Sequence, residues 1–247
     1  MEDKIGFEEY MKNYDDFIDS CAKFNFYTRS KEVQIQKTTE IDQFLMGLKK
    51  NKANAVRDGN EKIANLFFHM QCMLNAVKSA LLCWINIKEM KYRESWDCLV
   101  DAQEYVFVAL QISDYPGVRN IETMLQSMEK CLFPGWSYFM SPGIIETVGD
   151  CSICGKNMSE CEHIEGKVYW GALCERVNTK QIAINHVAFV ESPKDKRCII
   201  EEIADEESGF MRDYFTWELT NKKNAKHGPN ELLISSVALT VRSMDFK

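Results

Sequence analysis

The sequence predicts an α+β protein: an N-terminal helical bundle followed by a mostly antiparallel β module stapled by a cysteine and histidine cluster. Three observations predict it. Apolar residues in the first half recur at helical spacing. Short β-branched and aromatic runs, parted by turn-forming residues, fill the C-terminal third. Between them lies "CSICGKNMSECEHIEGKVYWGALC", running from Cys151 to Cys174, which gathers four of the ten cysteines.

Helices are expected from about Phe7 to Ala22 and from about Ser30 to Lys49. From Ile63 onward, Leu66, Phe67, Met70, Met73, Leu74, Val77, Leu81 and Trp84 form one broad apolar helical face. After the polar "KEMKYRES", a second run through Trp96, Leu99, Val100, Val106, Phe107 and Leu110 completes an expected antiparallel helix hairpin. A last helix is expected from Arg119 to Leu132. This bundle occupies residues 1–133.

"SDYPGV" and "FPGWSYFMSPG" hold three of the five prolines, which marks residues 134–149 as a connection. Phe133, Trp136, Tyr138, Phe139 and Met140 crowd this stretch, and side chains of that size are expected to be buried. They should lock the two parts into one compact unit. In the β module, residues 150–247, strands are expected in "IAINHVAFV", "RCII", "YFTWEL" and "LLISSVALTV", with "ESPKDK", "DEESG" and "NKKNAKHGPN" as turns.

The cluster has the spacing C-x2-C-x6-C-x-H-x10-C. Its first part, "CSICG", matches a knuckle in which two thiolates grip one zinc and a glycine permits the tight turn behind them. Cys161 and His163 are two residues apart, so in extended backbone they share a face. Five candidates, Cys151, Cys154, Cys161, His163 and Cys174, thus compete for the four positions of one structural zinc per chain. Cys151, Cys154 and Cys174 are expected ligands, and His163 stands ahead of Cys161 for the fourth place. Four good ligands close the coordination shell, which argues against catalytic zinc, and the deaminase order H-x-E then P-C-x2-C is not present.

Composition narrows the classes further. The 247 residues are 45% hydrophobic and 27% charged, as in folded chains, and the net charge of -7 argues against a surface built to coat nucleic acid. The start, "MEDKIGFEEYMKNYDDF", has no signal-peptide pattern, and the apolar runs are shorter than the roughly 18 residues of a membrane span, so a cytoplasmic protein is expected, without a membrane partner. In that reducing compartment the scattered Cys21, Cys72, Cys83, Cys98, Cys131 and Cys198 read as small apolar groups, not as disulfides.

The stretch from 151 to 198, through Cys151, Cys154, Cys161, His163, Gly166, Tyr169, Gly171 and Cys174, resembles cysteine and histidine inserts in some phage head-maturation-protease relatives and in uncharacterised bacterial proteins. That resemblance implies a metal-stabilised β-rich insert and a bacterial or phage-related setting such as antiviral defence. It does not carry over the protease's serine and histidine. The paired long helices resemble the HEPN class of RNases, but the R-x4-6-H motif of that class has no match here.

No catalytic residue is assigned, because no P-loop, G-x-G-x-x-G, G-x-S-x-G or H-E-x-x-H occurs. His69 reads as a satisfied core residue, His186 as a cross-strand residue and His227 as part of a solvated turn. Asp97, Asp101 and Glu104 read as a solvent-facing stripe. The expected function is a non-enzymatic interaction subunit that docks on a protein partner, with a nucleic-acid-binding or nuclease-type effector as the alternative.

Overall fold

A computed structural model describes residues 6–225, 231 and 233–239. Five helices are followed by antiparallel strands, an α+β layout. The helices are α1 (Phe7–Ala22), α2 (Lys31–Arg57), α3 (Glu61–Lys88), α4 (Tyr92–Ile112) and α5 (Pro116–Leu132). The strands are β1 (Phe139–Glu146), β2 (Asp150–Cys151), β3 (Val168–Tyr169), β4 (Ala172–Leu173), β5 (Arg176–Val177), β6 (Gln181–Val190), β7 (Ile200–Asp205), β8 (Phe210–Asp213), β9 (Leu219–Lys223) and β10 (Ile234–Ser236).

These elements form two compact units. The first comprises the helices as far as Gln126 together with Gly166–Cys174; the second comprises Ser127–Glu165 and the described chain from Glu175. The division does not follow the 134–149 connection drawn from sequence. The last turns of α5 fold with the strands, and a hairpin from the cysteine-rich stretch folds with the helices.

In the first unit α3 packs between α2 and α4. It is apolar nearly all round, including Phe68, Met70, Met73, Leu74 and Leu81, which is the pattern of a core helix. By length and composition α3 is also apolar enough to cross a membrane, and 72% of its most apolar window is buried within the protein. Its start is capped by Asn60, whose side chain accepts from the Ile63 N–H at 3.1 Å.

The helix ends are built from paired backbone bonds. α2 runs eight residues beyond the Lys49 expected from sequence, because Lys52 and Ala55 are buried in spite of the polar run around them. It stops where Gly59 adopts φ +70°, with Asn60 N–H donating to Ala55 O and Gly59 N–H to Val56 O. α3 ends the same way, but a methionine, Met90 at φ +57°, takes the glycine position.

In the second unit β7 to β10 form a four-stranded antiparallel sheet in the order β10-β7-β8-β9, while β1 and β6 form a separate two-stranded ribbon. The connection expected at 134–149 is therefore strand over half its length, as β1. Within this unit Phe133 packs edge-on against Phe215, and Trp136 stacks on Tyr214 while its ring N–H donates to Ile200 O at 3.0 Å. Phe133, Phe139 and Met140 are buried as expected, whereas Trp136 is half-buried and Tyr138 is exposed.

"YFTWEL" is a turn and not a strand until Leu219. The Asp213 carboxylate accepts from the Phe215 and Thr216 N–H groups at 2.8 Å each, and this local capture wins over strand pairing. "RCII" enters β7 only at Ile200. The strand expected in "LLISSVALTV" is β10, and the remainder of that run includes residues outside those described.

Candidate metal centre

The site grows from a short strand and two turns. β2 pairs with β5, Asp150 opposite Val177 and Cys151 opposite Arg176, which fixes the first cysteine. The chain then doubles back: Gly155 N–H donates to Cys151 O, and Cys151 N–H donates to Lys156 O, both at 2.8 Å. Gly155 makes this possible with φ +72°. Inside the loop, the Ile153 N–H points at the Cys151 sulfur at 3.4 Å. The knuckle read in "CSICG" is thus formed.

A one-turn 3-10 helix, Met158–Glu160, brings the second pair round. Its cap is Asn157, whose Oδ1 accepts from Ser159 N–H at 3.0 Å. Cys161 follows in extended backbone, φ -103° and ψ 140°, so His163 two residues on returns to the same side. The His163 N–H donates to the Cys161 sulfur at 3.2 Å.

The ligand atoms of Cys151, Cys154, Cys161 and His163 all lie within 4.8 Å of one another. Cys154 Sγ is 3.4 Å from Cys161 Sγ, and His163 Nδ1 is 3.2 Å from Cys161 Sγ and 3.7 Å from Cys151 Sγ. Four donors on one tetrahedral ion, with Zn–S of about 2.3 Å and Zn–N of about 2.0 Å, must stand roughly 3.5 to 3.8 Å apart. The observed separations of 3.2 to 3.7 Å reach that requirement or fall a little short of it, so this Cys3His group could hold a metal ion. Without one, burial of charge among neighbouring thiols pushes the Cys161 thiol up to about 11. A divalent cation reverses that penalty, since the thiolate is the form that ligates.

Both rivals for the fourth place, Cys161 and His163, belong to the group with Cys151 and Cys154. Cys174 is fully buried in the first unit, where its N–H donates to Lys167 O and its carbonyl accepts from Gly166 N–H. Sequence reasoning missed that hairpin. β3 and β4 are joined by Trp170 and Gly171, both at positive φ, and the turn is held on α3: Trp170 N–H donates to Glu61 Oε1 at 3.1 Å and Gly171 N–H to Asn65 Oδ1 at 2.7 Å. The "WG" pair after a short β-prone run was the available signal.

The remaining histidines and acids fall as follows. His69 is buried, with Nδ1 3.0 Å from Ala109 O and Nε2 3.2 Å from the Tyr115 hydroxyl, and burial lowers its pKa. Because a carbonyl only accepts, Nδ1 carries the proton and Nε2 accepts from Tyr115. His186 lies opposite Gly143 across the β1–β6 ribbon, a cross-strand position. His227 lies outside the described residues. In the acidic trio Asp97 is paired with Arg93 at 2.9 Å, and the three acids are half-buried, not fully solvent-facing. Among the described residues, Cys151, Cys154, Cys161 and His163 are the one group with metal-ligand geometry.

Compared with protein families, with curated proteins and with solved structures, the chain matches none.

Proposed function

We propose that this chain is a non-enzymatic interaction subunit whose β unit is organised by one structural zinc, held by Cys151, Cys154, Cys161 and His163. The carrying observation is the donor set: three sulfurs and one imidazole nitrogen, all within 4.8 Å of one another, which is enough protein groups to fill the four places of a tetrahedral ion. A hydrolytic zinc keeps one place for water, and this set keeps none. Soft thiolates with one imidazole suit zinc better than calcium or magnesium, which take oxygen donors.

A short loop anchored by the two-residue β2–β5 pairing obtains little stability from its own core, so metal affinity would supply much of its folding energy. The interaction role is supported by how much apolar surface the β unit leaves exposed, including Ile144, Ile182, Val187 and Phe189. Metal analysis of protein purified without added zinc should find close to one equivalent per chain, and a stable protein partner should co-purify or self-associate. Less than a tenth of an equivalent in folded protein would overturn the zinc reading. Binding to RNA or DNA that weakens steeply with salt would overturn the interaction reading in favour of a nucleic-acid effector.

A further inference from the structure

The strand β6 is ten residues long, "QIAINHVAFV", and its sheet consists of β1 and β6 alone. One long edge of β6 therefore has no strand beside it among the described residues. Natural edge strands are usually blunted by lysine, proline or an inward charge. The outer side of β1 has such devices, since Met140 N–H already donates to Cys198 O at 2.8 Å and Pro142 removes a donor. β6 has none: it contains no Asp, Glu, Lys, Arg or Pro.

Its side chains add a second feature. The register passes from Gly143 opposite His186 to Ile144 opposite Ile184, leaving Asn185 as a bulge. Strict alternation would place Ile184, three residues from Val187, on the other face; the bulge returns it to the face of Val187 and Phe189. Ile182, Ile184, Val187 and Phe189 are 66%, 49%, 46% and 56% exposed.

These residues are also symmetric in sequence. About the midpoint between Asn185 and His186, Ile184 mirrors Val187, Ala183 mirrors Ala188, and Ile182 mirrors Phe189. An antiparallel strand of the same sequence would set large apolar groups on large, small on small and polar on polar. No like charges would meet, because the strand carries none.

We propose that the occupant of this edge is a second copy of this chain, β6 pairing antiparallel with β6 across a two-fold axis at Asn185 and His186. Two ribbons, each marginal as a lone pair of strands, become one four-stranded sheet with a shared apolar stripe. Ile184 then faces the partner's Val187, with Phe189 and Ile182 of both copies flanking that pair, Ile182 standing at a second register break where Ile145 opposite Ala183 gives way to Glu146 opposite Gln181. This narrows the interaction reading to one partner and rests on the ribbon, not on the metal.

Sedimentation equilibrium of the full chain at micromolar concentration tests it, with zinc measured in the same samples. The expected result is twice the 28.6 kDa chain mass. Ile184→Lys combined with Val187→Lys puts lysine opposite lysine and should give monomer, whereas Ile184→Lys combined with Val187→Glu restores opposite charges in this register and should give dimer. A monomeric unmodified chain, or a dimer that survives the paired lysines, overturns the proposal. Because both variants alter the same two positions, a monomer from both also overturns the register. Zinc retained in a monomeric chain sinks the dimer alone; a dimer without zinc sinks the metal reading alone.

Discussion

The Cys161 sulfur and the His163 Nδ1 lie 3.2 Å apart, with the His163 N–H turned onto the same sulfur. One residue, Glu162, separates them, and with Cys161 extended that spacing lets both serve one ion. Cys161→Ala should therefore remove most of the bound zinc. Metal analysis of the purified variant, beside a thermal melt, reads the outcome; a folded variant that keeps close to one equivalent would refute the place of Cys161 in the group.

His69 gives the stability a defined dependence on pH. Burial lowers its folded-state pKa below the ordinary value near 6.5, so the unfolded chain binds the proton first as pH falls. Its contribution is complete above the unfolded value and is lost progressively as pH drops through it toward the folded one. Denaturant midpoints should thus fall between about pH 7 and pH 5, in the window set by histidine titration. His69→Gln should flatten that slope. An unchanged slope would show that other groups carry it.

At the end of α3, Met90 holds the left-handed conformation that a glycine takes at the end of α2. A side chain there costs roughly 1 kcal/mol, and Met90 is largely exposed, so little packing is lost on removing it. Met90→Gly should raise stability by about 0.5 to 1 kcal/mol, less the added flexibility of the unfolded chain. Chemical denaturation monitored by helical circular dichroism checks the sign; a loss above that amount would reject the strain argument.

Gly171 presents the opposite case. A Cβ at this position would stand 2.9 Å from Lys52 Cδ and 3.0 Å from Ala64 O, in a residue already at φ +72°. Lysine can yield but the α3 carbonyl cannot. Gly171→Ala should cost about 1 to 3 kcal/mol and loosen the β3–β4 turn from Glu61 and Asn65. Hydrogen exchange at Trp170 and Gly171 should speed up in the variant while exchange in the middle of α3 stays slow. Unchanged exchange at the turn would contradict this account.

The five helices were legible in the chain alone, because burying one face of a helix imprints a 3.6-residue period on side chains close in the chain. So was the knuckle at Cys151 and Cys154, since a metal loop is held by residues a few positions apart. Tertiary structure decided what depends on distant partners. "FMSPGIIE" looks broken by proline and glycine, yet it is strand because β6 lies beside it and the His186 ring occupies the space where a side chain on Gly143 would stand. "YFTWEL" has strand composition but turns, because one carboxylate, Asp213, satisfies its backbone first. The β3–β4 hairpin was decided in the same way: α3 holds its turn through Glu61 and Asn65, more than a hundred residues earlier in the chain. Local periodicity and spacing carry no record of such long-range pairings, whose free energy arises only when the two surfaces meet.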